Sequence, residues 1–191
     1  MMKQNPLFPL RSRDVDQFLL VFHDIEEKEQ KGYIQRLKNI TRMGVPTGVG
    51  GGRGHPAQYD LEQLFQLISV TMLYRCHLTP LYAVKLMQFS WHKMIASLDD
   101  QWKFVLSRNT EEPFHVERSF WSISTDWGLA HTRNVAENLM PHSLEVINSS
   151  QLGNLMRDEY KRSFILIDVR KVAELTARIL TSDDFQKFRE S

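Results

Sequence analysis

Residues 44–54 read GVPTGVGGGRG and hold six of the chain's nine glycines, so no regular element can run through them. Glycine reaches φ > 0 without steric cost and lets backbone approach another surface closely. A cluster this dense is a loop, and it divides the helix-like segments of the N-terminal half. Its surroundings are basic. From residue 30 to 59 the chain carries Lys31, Arg36, Lys38, Arg42 and Arg53 and no Asp or Glu, directly after Asp24, Glu26, Glu27 and Glu29. A net charge of +1 conceals this asymmetry, which would offer a phosphate backbone a local cationic face.

With 191 residues, 42% hydrophobic and 25% charged, the chain can bury one generous core or two small ones. A single cysteine, Cys76, excludes an intrachain disulfide, and the opening MMKQNPLFPLR holds no long apolar run. A cytoplasmic, nucleoid-associated location is the expectation. The best apolar run, residues 18–22, falls far short of the about 20 residues needed to cross a bilayer, so no membrane partner is expected.

Apolar residues at Val15, Phe18, Leu19, Phe22 and Ile25 predict a core-facing helix over 14–28, with Ser12 or Asp14 available as N-cap. Residues 30–43 place Tyr33, Ile34, Leu37, Ile40 and Thr41 on one side of a second helix and Gln35, Arg36, Lys38, Asn39 and Arg42 on the other. Gly44 and Pro46 stop it. The join between the two falls within 26–32, where good helix propensity also allows one bent helix. Asp60 with Gln63 resembles a capping box ahead of Leu61, Leu64, Phe65, Ile68 and Met72, which predicts a helix over 60–75. Thr79 and Pro80 suit the N-cap and first position of another, running into the nineties.

Beyond Asp99 and Asp100 the texture changes. Residues 103–107, 114–124, 143–147 and 163–169 read as strands, with a helix from Thr125 or Asp126 to Met140 and another capped by Asp168. The expected fold class is α+β, with a mainly helical N-terminal domain over 1–98 and a small α+β domain over 99–191.

The order helix, basic helix, Gly-rich hairpin and two further helices resembles a winged helix-turn-helix, and residues 12–97 resemble the MerR-like transcription regulators in particular. The resemblance rests on RLKNITRMGVP, GGRGHPAQY and DLEQLFQLI: Gly44 and Val45 at a helix end, Arg53 and Tyr59 in the wing, Asp60 and Leu61 opening the next helix. LYRCHLTPLYAVKLM is similar to the family's linker into its fourth helix. Two features depart from the family. The wing is unusually rich in glycine, and no long heptad helix follows to form a coiled-coil dimer.

The resemblance implies a sequence-specific regulator of double-stranded DNA. The second helix would enter the major groove with Lys31, Gln35, Arg36, Lys38, Asn39 and Arg42 towards it, since Arg pairs with guanine and Asn or Gln with adenine. The wing would bring Arg53 and His55 to the minor groove or a phosphate, with Tyr59 on a phosphate. A homodimer on a two-fold site would supply the base contacts that one module lacks, with RNA polymerase or another regulator as a further partner. Two alternatives stay open: a module for protein partners such as polymerase or a toxin, and a DNA-bending recombination accessory factor.

Other chemistry fails on the letters. No Lys-Ser/Thr follows the glycines and no G-x-G-x-x-G register exists, so a nucleotide phosphate loop is excluded. One GGRG is a weak RNA-binding signal. His115 and Glu117 form H-x-E without the P-C-x-x-C of zinc deaminases, and Cys76 with His77 is at most half a metal site. No nucleophile elbow is present, so neither an enzyme, a metal nor a cofactor is expected. Trp102, Phe104, Phe114, Phe120, Trp121 and Trp127 are read as core before they are read as an effector pocket.

Overall fold

A computed structural model describes residues 7–49, 56–108, 116–124, 144–158 and 164–191. They form a mixed helix and sheet fold with small antiparallel sheets, as expected of the α+β class. Residues 1–89 together with 175–191 make one compact unit, and residues 90–174 make the other. The boundary expected at 98/99 falls inside a helix, and the C-terminal seventeen residues group with the first unit.

The first unit opens with β1 (Leu10–Arg11) and α1 (Ser12–Phe22). The N-cap of α1 is Arg11 rather than Ser12 or Asp14; Asp14 sits in the first turn and accepts the Arg11 N–H at 2.9 Å. Helix α1 also stops at Phe22, short of the expected residue 28. Asp24 takes a left-handed conformation (φ +51°), which Asp tolerates better than most residues, and this breaks the helical path. The carbonyl of His23, left without a helical partner, accepts a hydrogen bond from the Arg75 guanidinium. Helix α2 (Glu27–Arg42) follows this turn, so the two segments are separate helices rather than one bent one.

Helix α2 ends as its sequence requires. Gly44 donates its N–H to the Thr41 carbonyl with φ +88°, a conformation that a side chain would strain. The next strand is β2 (Gln58–Tyr59). The expected partner of this strand was the outgoing leg of a hairpin. It pairs instead with β1, antiparallel, with Leu10 opposite Tyr59 and Arg11 opposite Gln58. The described outgoing residues, 43–49, are turn and coil.

Helix α3 (Leu61–Arg75) starts as predicted: the Asp60 carboxylate accepts the Gln63 N–H at 2.8 Å, and the Gln63 side chain accepts the Asp60 N–H at 3.0 Å. It is the centre of the first unit, with Leu64, Phe65, Ile68, Val70 and Leu73 fully buried on every side. Its buried hydroxyls turn back on the helix, Ser69 to the Phe65 carbonyl and Thr71 to that of Leu67, both at 2.7 Å. Helix α4 (Pro80–Ser107) begins after Thr79, whose hydroxyl accepts the Tyr82 N–H at 3.4 Å.

Residues 103–107 were expected to form a strand and are the last turns of α4. Five residues with two aliphatic side chains and one aromatic do not fix a period, and side-chain contacts along the helix settle the choice. Lys103 pairs with Asp99 at 2.7 Å, and the Arg170 guanidinium lies 3.9 Å from the centroid of the Phe104 ring. The other expected strands form: β3 (Ser119–Ser124) and β5 (Phe164–Asp168) within narrower limits and β4 (Leu144–Asn148) shifted by one residue, in the antiparallel order β4-β3-β5.

One face of this sheet carries Trp121 and Ile123, with Leu144 and Ile167 on its flanking strands, and all four are buried. The Trp121 indole donates to Ser97 Oγ of α4 at 3.0 Å. Between β4 and β5 lies α5 (Ser149–Asp158). Asp168 caps α6 (Val169–Leu180) by accepting the Lys171 N–H at 3.2 Å, and also pairs with Arg118 at 2.8 Å. Helix α7 (Asp183–Glu190) returns to the first unit, where Phe185 meets Phe18 of α1 edge-on at 5.9 Å. The helix expected over 125–140 lies outside the described residues.

Candidate nucleic-acid interface

Helix α2 is divided lengthwise. Tyr33, Leu37 and Ile40 are buried, whereas Lys31, Gln35, Arg36, Lys38, Asn39 and Arg42 are all exposed. At 100° per residue, Lys31, Gln35, Lys38, Asn39 and Arg42 share about 100° of arc opposite the buried side, and Arg36 lies on its flank. None of the cations among them forms an ion pair with a described carboxylate. Arg42 donates to Asn39 Oδ1 at 3.4 Å, which leaves the Asn39 amide N–H groups facing outward as donors.

The charge is graded along the helix. Glu26, Glu27 and Glu29 are exposed at its N-terminal end, where they suit the helix dipole, and Lys28 pairs with Glu26 at 2.6 Å. The cationic part begins at Lys31. Asp16 of α1 interacts with this part of the helix through charge: burial raises its pKa, and the charge of Lys38 opposes that rise. Beside Arg36 and Asn39 lies a small cleft of about 70 Å³ that Ile40, Met43, Tyr74 and Pro80 complete.

The turn between α1 and α2 is held from within. His23 is 7% exposed and its Nε2 lies 2.8 Å from Thr71 Oγ1. Since the Thr71 hydroxyl gives its proton to the helix carbonyls, it accepts from a neutral His23 carrying hydrogen on Nε2. Burial, with the nearby Arg75 charge adding to it, pushes the His23 pKa down to about 3.

The legs of the glycine-rich excursion are held by α3. Gln66, buried at 3% exposure, accepts the Thr47 N–H at 2.8 Å, and the Thr47 hydroxyl lies 3.2 Å from Gln66 Nε2. Gln63 Nε2 donates to the Thr47 carbonyl at 3.1 Å while Gln63 Oε1 holds the Asp60 N–H on the returning leg. Gly48 follows Thr47 with φ +75°.

The expected site residues therefore divide. The six on α2 share one exposed helix surface. Tyr59 does not join them: it is 7% exposed and packs in the core opposite Leu10, so its ring is no free arm for a phosphate. Arg53 and His55 lie outside the described residues. Sequence reasoning missed Thr47 and Gln66. The signal was present, since Gln66 is a lone amide in the apolar run LFQLISV and a buried amide needs partners.

The second unit offers less. Its surface groove of about 580 Å³ is lined by mixed charges, Lys93, Asp100 and Glu145 among them, and by none of the aromatic residues expected to be core or effector pocket. Trp102 and Trp121 are buried, Phe104 and Phe120 are half-buried, and Phe114 and Trp127 lie outside the described residues. Burial pushes the Cys76 thiol up, away from the reactive thiolate. No helix among the described residues is long and apolar enough to cross a membrane. Comparison with protein-family models, curated proteins and solved structures gives no match.

Proposed function

We propose that this chain is a sequence-specific, DNA-binding transcriptional regulator. Helix α2 is its major-groove reader, in a winged helix-turn-helix whose wing is the glycine-rich excursion. The observation that carries the reading is the face of α2: three cations and two amides on one exposed strip, without carboxylate partners, backed by a buried apolar strip. Arg and Lys suit phosphates and guanine, and Gln and Asn suit adenine. The short turn from α1 to α2, set by Asp24, is the connection such a motif uses. Arg53 and His55 act from the excursion on the minor groove or backbone. Two copies on a two-fold site would double the base contacts.

A second reading has its own support. The exposed acidic start of α2, Glu26 to Glu29, would repel a phosphate backbone and instead favours a basic protein partner. Salt titration separates the two. Wild-type protein should bind a duplex selected from a random library, with affinity falling steeply as salt rises. Lys38→Ala combined with Arg42→Ala should make the log-log salt slope shallower by about 2, for two lost phosphate contacts. A wild-type protein that enriches no duplex would exclude the DNA reading and leave the protein-partner one.

A further inference from the structure

We infer that the groove of about 580 Å³ in the second unit takes an extended peptide of a partner protein, which adds to the free edge of β4 as a fourth strand. This site does not depend on the DNA reading. The phase of the hydrogen bonds fixes what β4 offers. Ser149 donates its N–H to the Arg118 carbonyl at 2.9 Å, and bonded pairs in an antiparallel ladder recur at every second residue. Glu145 and Ile147 therefore bond to β3, opposite Ser122 and Phe120, while Leu144, Val146 and Asn148 turn their N–H and C=O groups away from it. Asn148 shows this directly, for its N–H meets Gln151 Oε1 at 2.9 Å. No described strand lies along that side of β4, and no described group takes the Val146 N–H or C=O. An edge that presents a donor and an acceptor at one residue is a template for another chain.

Helix α4 makes the other wall. Lys93, Ala96, Ser97 and Asp100 line the groove at the i, i+3, i+4, i+7 spacing of one helical face. Ser97 Oγ accepts from Trp121, which pairs with Val146, and the Gln101 side chain reaches Ser119 Oγ, opposite Asn148. Helix and strand thus run in the same direction, with Lys93 towards Leu144 and Asp100 towards Asn148. Between them Ala96 is exposed and small, and Ser97 is tied to Trp121 and to the Met94 carbonyl, so the middle of the wall is low. Lys93 and Asp100 are exposed, and neither forms an ion pair with another described residue. From one to the other the helix rises about 10 Å, the length of about three residues of extended chain. The walls suit a strand, and the charges give it a direction. In antiparallel pairing, the more stable kind, a basic residue meets Asp100 and an acidic residue four places later meets Lys93. That spacing puts both on the α4 side, with an apolar residue against Ala96 between them. Glu145 alternates to the other face of the sheet and leaves the α4 side to Lys93 and Asp100.

The test adds end-blocked pentapeptides to isotope-labelled full-length protein: Lys-Thr-Val-Thr-Glu, and the charge-reversed Glu-Thr-Val-Thr-Lys. The first should shift the amide signals of Ala96 and Val146 most and slow the exchange of the Val146 N–H. The reversed peptide should bind about fivefold more weakly, the difference that two surface ion pairs make. Exchanging the charges of the groove, Lys93→Glu with Asp100→Lys, should exchange the preference, which a damaged fold could not do. Ala96→Phe, at an exposed helical position, should fill the groove and abolish the Val146 shift with thermal melting unchanged. No shift at Val146 with either peptide would overturn the inference, as would equal binding of the two or a preference that survives the charge exchange. A wild-type dimer that Ala96→Phe dissociates in ultracentrifugation would overturn it too, by assigning the edge to a second copy. No duplex enters the experiment, so this site and the DNA reading can fail independently.

Discussion

Helices α2 and α3 follow one another in the chain with similar lengths, 16 and 15 residues, and they treat polar side chains in opposite ways. Every buried polar side chain of α3 is engaged within the fold: Ser69 and Thr71 with helix carbonyls, Thr71 also with His23, Gln66 with Thr47. The polar side chains along α2's outer strip point to solvent, and their cations have no described carboxylate partners. A helix sealed on all sides can only support. One left half open, with a consistent sign of charge, is available to a partner.

The largest expected difference between the two is in stability. Phe65→Ala on α3 removes a fully buried ring and should cost about 3–5 kcal/mol, read as a drop in the denaturant midpoint at constant slope. A loss under about 1 kcal/mol would mean that α3 is not the centre of its unit.

Next comes acid. His23 stays neutral in the fold down to about pH 3, whereas its ordinary value is 6.5. The unfolded chain therefore binds a proton first as pH falls. The stability from burying neutral His23 is complete above pH 6.5 and drains between 6.5 and about 3, by roughly 1.4 kcal/mol per pH unit. Unfolding free energy measured against pH for wild type and His23→Asn should diverge in that window and run parallel above it. Parallel curves throughout would remove His23 from the support of the turn.

The smallest stability effect belongs to the outer strip of α2. Lys38→Ala with Arg42→Ala should shift unfolding by no more than about 0.5 kcal/mol, although it strips two cations from the proposed interface. A large loss would make this face structural and erase the contrast with α3.

The same contrast marks what the sequence could disclose. The start of α3 was legible because Asp60 and Gln63 cap each other locally, and that of α4 because Thr79, whose hydroxyl accepts the Tyr82 N–H, stands directly before Pro80. The division of α2 was legible from its period alone. The end of α1 was not. Asp24 turns left-handed where distant residues take hold, Thr71 binding the His23 ring and Arg75 its carbonyl. Residues 103–107 were misread for a related reason: a run that short fits strand or helix, and Arg170 stacking on Phe104 is invisible to a local window. The partner of β2 lies before α1 rather than across the glycines, in a ladder that ties residues 10–11 to residues 58–59. Of the expected site, the α2 residues could be placed from spacing. Tyr59 could not, because an aromatic in a strand that short shows no side preference until its partner is known.

The most direct measurement is a titration of the enriched duplex into isotope-labelled full-length protein, followed by NMR. Gln35, Lys38, Asn39 and Arg42 should show the largest shift changes, with the Thr47 region following and the buried Phe65 and Ile68 unmoved. Changes that centre on the second unit, or on the acidic start of α2 without its cationic part, would contradict the assignment of α2 as the DNA-reading helix.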